Sequence, residues 1–220
     1  VIGLEFACLF NSFGCKVTVI ELASKLIPYE DQDVSKELQR ILKKQGIHFK
    51  LNSKLTELKV DRNNYQCIVT LEKDEKESYE KVLVSIGREP VTDNLGLKEL
   101  GIVQEKNFIT TNNHYQTNID NIFAIGDVIN TPALAHTASA EAIHAIEVIA
   151  GLNPSSIDYE TNPSAMYTFP EVASIGHSEQ KLIEKNIDYK SIKFPFAPIA
   201  KAKIENATDG FIKILYGTDY

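Results

Sequence analysis

The sequence predicts an α/β protein in which amphipathic helices alternate with short buried strands, followed by a strand-rich α+β module. Three observations lead there. Apolar residues at helical spacing over 1–13 stop at Gly14 and give way to the β-branched run Val17-Thr18-Val19-Ile20. The same helix-then-strand alternation recurs at 33–45 and 47–51. After Asn153-Pro154, a linker signal, the pattern turns to short strands with few helices.

The elements follow in order. Ile2, Phe6, Leu9, Phe10 and Phe13 make an apolar helix face, and Gly14 is its C-cap residue. The run 17–20 suits a buried parallel strand, with Glu21 at its carboxyl end. Asp31 is the N-cap of a second helix whose stripe is Val34, Leu38, Ile41 and Leu42, closed by Gly46. Residues 47–51 alternate as a strand does. Runs 55–60 and 67–71, joined by the turn cluster Asp61-Arg62-Asn63-Asn64, predict an antiparallel hairpin inserted in the α/β unit, and 73–77 a charged turn. Residues 81–86 read as a buried strand ending at Gly87-Arg88. Loops follow from Glu89, around Pro90, Asn94, Gly96 and Gly101. Residues 121–125 read as another buried strand, ending in Gly126-Asp127, and 133–150 as a long apolar helix stopped by Gly151. Beyond the linker come strands at 165–169 and 172–175 around Pro170, a helix at 179–186 capped by Ser178, and strands at 189–194 and 211–216. There are no internal repeats and no low-complexity tracts.

Composition narrows the function. The 220 residues, 43% hydrophobic, suit one large domain or two or three small ones. A net charge of -7, with Lys43-Lys44 as the longest basic cluster, argues against a nucleic-acid partner. No run approaches the ~20 apolar residues of a membrane span. No targeting segment is expected, and the opening Val is read either as a true start lying further upstream or as the edge of a cut. Cys8, Cys15 and Cys67 form neither a CxxC nor a metal-ligand spacing; they are expected to be small buried hydrophobes in a reducing compartment.

Two places carry chemistry. A dinucleotide fingerprint is G-x-G-x-x-G, then a helix, then a strand ending in an acid. Val1-Ile2-Gly3 matches its last three positions, and Glu21 stands 18 residues on, where a carboxylate would accept from the adenosine ribose. Such a carboxylate repels a 2′-phosphate, which favours NAD over NADP. The competing reading is a structural glycine and an ordinary strand-end residue. Asp127 ends a run at a sheet's carboxyl edge, where ligands bind, or is a turn or N-cap residue. Behind it, Ala133-Leu134-Ala135-His136 opens a helix with free N–H donors. His136 and His144 are eight residues apart, which is not a metal spacing, and His48, His114 and His177 are isolated. No metal site is expected.

In order, Val1-Ile2-Gly3-Leu4-Glu5, Val17-Thr18-Val19-Ile20-Glu21, Ser85-Ile86-Gly87-Arg88-Glu89-Pro90, Ile122-Phe123-Ala124-Ile125-Gly126-Asp127, Ala133-Leu134-Ala135-His136 and the run Tyr167-Thr168-Phe169-Pro170-Glu171-Val172-Ala173-Ser174-Ile175-Gly176 resemble the flavoprotein pyridine nucleotide-disulfide oxidoreductases. Within that family they are most similar to the dihydrolipoamide dehydrogenase branch. The resemblance covers essentially the whole chain. It implies a Rossmann-like NAD domain with an antiparallel hairpin insertion (1–88), the returning half of an FAD domain (89–154), and a truncated α+β interface domain (155–220). It implies that Val1, Ile2, Gly3, Leu4 and Glu5 complete the nicotinamide-dinucleotide loop, that Glu21 takes the adenosine ribose, and that Leu55 and Gly87 line the NAD site. Asp127 then binds the ribityl chain of FAD, and Ala133, Leu134, Ala135 and His136 present N–H groups beside the flavin ring.

The resemblance further implies a homodimer and electron transfer from a protein-bound dihydrolipoyl dithiol, through a disulfide and FAD, to NAD. Subunits of a lipoyl-bearing multienzyme complex are the implied partners, in the cytoplasm or, in a eukaryote, the mitochondrial matrix or plastid. The family's redox disulfide and catalytic His–Glu pair match nothing in this sequence, and a second glycine fingerprint, for FAD, is absent. A fragment without catalytic residues of its own, inactive by itself, is therefore expected. A mercuric, glutathione-type or transhydrogenase-like reductase, or a non-catalytic NAD-binding remnant, are the alternatives.

Overall fold

In the computed structural model, which describes residues 1–217, the first helix α1 (Ile2–Ser12) ends where Gly14 takes φ +85°. It buries Leu4 and Ala7 rather than the expected apolar face. Ile2, Phe6, Leu9, Phe10 and Phe13 are exposed instead. The slimmer side chains allow close approach to a core that also holds Leu26, Ile27, Leu38, Leu42, Ile47 and Met166. Strand β1 (Thr18–Ile20) leads to α2 (Gln32–Lys44) and β2 (His48–Lys50), and β1 and β2 pair in parallel with Val19 opposite Phe49. Asp31 caps α2 by accepting from the Asp33 N–H at 2.9 Å, and Leu38, Ile41 and Leu42 are buried. Cys8 and Cys67 are half-buried and Cys15 is exposed, so the expectation of buried thiols fails most clearly at Cys15, which lies in the connection just before β1.

Strands β3 (Leu55–Asp61), β4 (Gln66–Leu71) and β5 (Lys76–Tyr79) form an antiparallel sheet with β4 in the middle. Asp61 shapes the β3–β4 turn by accepting from the Asn63 N–H at 3.0 Å. The expected charged turn is instead a 3₁₀ turn, Glu72–Asp74, followed directly by β5. Lys and Glu have low strand propensity, which hid β5 in the sequence. In the structure Lys50 pairs with Glu75 at 3.1 Å and also with Glu77, neutralising that charge. Residues 81–86 are extended but not a strand, with Leu83, Val84 and Ile86 exposed. No described strand lies alongside to take their backbone hydrogen bonds, which is why the expected buried strand is not seen.

A second unit covers Gly87–Ser164. The stretch expected to be all loop contains a small hairpin, β6 (Gln104–Glu105) and β7 (Phe108–Ile109). Lys106 and Asn107 both take positive φ between its strands, the conformation of a tight primed turn. Residues 121–125 make one isolated bridge, Phe123 to Gln116, rather than a strand, although Ala124 is buried. Helix α3 (Ala135–Ile149) buries Thr137, Glu141, His144 and Ala145. Its apolar neighbours are Leu97, Ile102, Ile109, Tyr115 and Ile129.

From Ala165 the chain rejoins the first unit. Strands β8 (Ser164–Met166) and β9 (Val172–Ser174) pair around the cis Phe169–Pro170 bond. Helix α4 (Glu179–Glu184) is capped by Ser178, as expected. Strand β10 (Lys190–Pro195), the unforeseen short helix α5 (Ala200–Ile204) and β11 (Phe211–Tyr216) follow, with β10 and β11 antiparallel. The last three residues of the expected interface segment, ending at Tyr220, lie outside the described residues. Lys213 of β11 is enclosed by carboxylates: Asp31 at 2.9 Å, Asp33 at 3.1 Å and Glu179 at 2.7 Å.

Candidate functional site

The first candidate cluster belongs to the first unit. Gly3 sits in the opening turn of α1, and a Cβ added there would come 3.3 Å from Ser85 Cβ. That close approach fits the third fingerprint glycine, whose task is tight packing of helix on sheet. The N-cap Val1 offers no side chain to the turn, so the N–H groups of Ile2 and Gly3 stay available, while Leu4 N–H returns to the Val1 carbonyl at 2.8 Å. Glu5 is otherwise engaged, accepting from the Tyr167 N–H at 2.8 Å. Glu21 follows β1, and one of its oxygens accepts from the Ala23 N–H at 2.8 Å. The other has no donor among the described residues, a fit for a ribose hydroxyl. Leu55 starts β3 and is exposed. Gly87, at φ +130°, opens the second unit.

The second cluster lies within the second unit. Asp127 is held in a 3₁₀ turn, Gly126–Val128, ahead of α3. Arg88 donates to the Asp127 carboxylate at 2.7 Å and to the Ala133 carbonyl at 3.0 Å. One guanidinium thus joins Asp127 to the segment Ala133, Leu134, Ala135 and His136. The N-cap Leu134 makes no side-chain cap, so the first turn of α3 keeps its N–H groups for a ligand. The His136 ring bonds the Pro163 carbonyl at 2.9 Å. An exposed carboxylate beside an uncapped helix start suits a polyhydroxylated chain that continues into an electron-rich ring.

Arg88 is not among the site residues the sequence predicts; the signal that could have found it is its place beside Gly87 in the same short run. Glu141 was also missed, although a carboxylate inside an apolar helix stripe is a signal. It is fully buried and accepts from the Gly126 N–H at 2.6 Å and the Tyr159 hydroxyl at 2.8 Å. Tyr115 and Tyr159 hydroxyls lie 2.9 Å apart. Burial, then Tyr115, then the Glu141 carboxylate push the Tyr159 phenol well above its ordinary range. His114 is not isolated: its ring nitrogen is 3.1 Å from that of buried His144. Among the described residues no three His, Cys, Asp or Glu side chains gather as metal ligands. No helix among them is long and apolar enough to cross a membrane. A cleft of about 650 Å³ beside β2, lined by His48, Lys50, Glu77 and Tyr79, contains none of the candidate residues.

Comparison with known proteins agrees in family. Residues 1–142 match the pyridine nucleotide-disulphide oxidoreductases, and residues 162–219 match the dimerisation domain of the same enzymes. The dihydrolipoyl dehydrogenase of Bacillus subtilis is 41% identical over all of this chain and 47% of its own length. The mitochondrial dihydrolipoyl dehydrogenase of Homo sapiens is 44% identical over 98% of this chain and 43% of its own. The chain thus spans about half the length of these relatives. Among solved structures, LpdA from Mycobacterium tuberculosis superposes with a TM-score of 0.91 at 26% identity, covering 99% of this chain and 47% of that one. The HOCl-induced flavoprotein disulfide reductase RclA from Escherichia coli gives 0.90 at 29%, covering 98% and 49%.

Proposed function

Because the chain belongs to the pyridine nucleotide-disulphide oxidoreductase family and has its α/β fold, we propose that the enzyme it contributes to oxidises a protein-bound dihydrolipoyl group with NAD. In that reaction the dithiol closes to a disulfide and loses two electrons and two protons. The electrons pass through an enzyme disulfide and FAD to NAD, which leaves as NADH with one proton released. The observation that carries the reading is the convergence of Asp127, Arg88 and the open first turn of α3.

In this reading residues 1–88 bind NAD, 89–154 are the returning half of the FAD domain, and 155–220 form the dimer interface. Val1 to Glu5 complete the nicotinamide-dinucleotide loop, Glu21 accepts from the adenosine ribose, and Leu55 and Gly87 line the NAD site. Asp127 accepts from a ribityl hydroxyl. Arg88 holds that carboxylate turned towards the α3 start. The N–H groups at Ala133, Ala135 and His136 stabilise negative charge on the ring, whereas that of Leu134, expected to join them, is taken by the Pro132 carbonyl at 2.8 Å. FAD, when bound, supplies the two-electron relay between dithiol and pyridine nucleotide. Neither Cys8, Cys15 and Cys67 nor any His–Glu pair matches the family's catalytic motifs, so in this reading the redox disulfide and the His–Glu pair come from outside these 220 residues. A homodimer, a lipoyl-bearing complex as partner, and a reducing compartment (cytoplasm, mitochondrial matrix or plastid) complete the proposal.

The test uses the protein translated from its whole reading frame, assayed with dihydrolipoamide and with either NAD or NADP. Turnover with NAD is expected. Replacing Glu21→Arg should narrow the preference for NAD over NADP at least tenfold. Reduction of glutathione disulfide or mercuric ion with no dihydrolipoamide oxidation would move the enzyme to a sister reductase, a reading favoured by its likeness to RclA. NAD binding without any turnover would make it a binding remnant.

A further inference from the structure

We propose that Glu141 is a positioning residue that fixes Asp127 for the ribityl chain of FAD by holding the Gly126 N–H. The proposal rests on the reading of Asp127 given above and adds what sets its geometry.

Glu141 has no exposed surface, and a buried carboxylate is costly unless its oxygens are hydrogen-bonded. An apolar side chain would fill this stripe of α3 without that cost. What the carboxylate adds is two acceptors. One takes the Gly126 N–H at 2.6 Å, and the other takes the Tyr159 hydroxyl at 2.8 Å. The Tyr159 oxygen in turn lies 2.9 Å from the Tyr115 hydroxyl, so Tyr115 donates to Tyr159 and Tyr159 to Glu141. This relay keeps Glu141 from swinging away from the turn.

Gly126 is constrained twice more. Its φ is +69°, and a Cβ there would meet Ala138 Cβ at 3.2 Å, so its backbone lies directly against α3. Asp127 is the next residue. Its backbone is therefore anchored to the buried face of α3 through Glu141, while its carboxylate points out to Arg88 with about half its surface free. Anchor and ligand group are adjacent in sequence but separated in environment. A side chain held this way reaches a ligand without paying for ordering at the moment of binding.

The experiment titrates FAD into apoprotein made from the whole reading frame and follows quenching of flavin fluorescence. Melting of each apoprotein is recorded in parallel. Asp127→Asn should raise the dissociation constant tenfold or more. Glu141→Leu, which removes the acceptor for the Gly126 N–H, should do the same, and Tyr159→Phe should raise it about threefold. The double variant D127N/E141L should bind within twofold of D127N, because Glu141 acts through Asp127. Tyr159→Phe keeps the proposal testable if Glu141→Leu does not fold. Wild-type FAD affinity in E141L or Y159F, with D127N impaired, overturns the positioning role alone. Multiplying effects in the double variant also overturn it, since Glu141 then acts independently. Unchanged binding in D127N removes the reading of Asp127 itself, and the role of Glu141 with it.

Discussion

Lys213 shows how much a single side chain can join. Its ammonium is nearly sealed from water and meets three carboxylates, from the start of α2 and from α4. Burial alone would raise the Asp31 carboxyl, but Lys213 and the N–H groups of Asp33 and Glu179 hold it below its ordinary range. Burial alone would lower Lys213, yet Glu179, Asp31 and Asp33 raise it well above 10.5. Asp31 therefore contributes stability above its unfolded value of 3.8, and loses that contribution as the pH falls through its depressed folded value. Lys213 contributes in full below 10.5 and loses its contribution as the pH rises through its elevated folded value. Lys213→Met should cost about 3 kcal/mol at pH 7, the low end for breaking a buried pair because Asp33 and Glu179 are partly in water. Melting curves against pH should show the gap from wild type closing below about pH 4; an equal gap at pH 2 and pH 7 would contradict the ionic origin. Asp31 was legible in the sequence as an N-cap because that role is local. Its bond to Lys213 spans 182 positions, and no local pattern encodes it.

At the scale of elements, the longer helices were legible, the short α5 was not, and strands were legible only in part. Helix α2 was found to within a residue at each end because cap, stripe and closing glycine all lie inside the segment. Its stability is also local to read: Leu42 is completely buried, and Leu42→Ala should destabilise the protein by about 3–4 kcal/mol in urea melts. A loss below about 1 kcal/mol would mean that the site collapses around the gap. Residues 81–86 and 121–125 have strand composition, yet a strand exists only with a neighbour's backbone beside it, and composition does not say whether one is there. The face of α1 was misread for a related reason. Periodicity marks where apolar residues lie, whereas the choice of Leu4 and Ala7 as the buried edge depends on how α1 packs against β1 and the core around it.

For the whole molecule, two units with separate cores give two reporters of ligand binding. FAD at about a hundred times its dissociation constant should add about 2.7 kcal/mol to the stability of the protein that binds it, seen as a rise in melting temperature. The 220 residues alone should give no dihydrolipoamide turnover, because no two of Cys8, Cys15 and Cys67 stand at the spacing of the family's redox disulfide; a measurable rate would overturn the assignment of the electron-carrying disulfide elsewhere. The candidate site was legible where it rests on runs of adjacent residues, such as Gly126-Asp127 and 133–136. It was illegible where it rests on Arg88 and Glu141, which meet the turn only in three dimensions. The exposed thiol of Cys15, just beyond the glycine that ends α1, has a practical side. With Cys8 and Cys67 half-buried, a maleimide dye at low stoichiometry should attach there first, giving a fluorescent handle on the first unit.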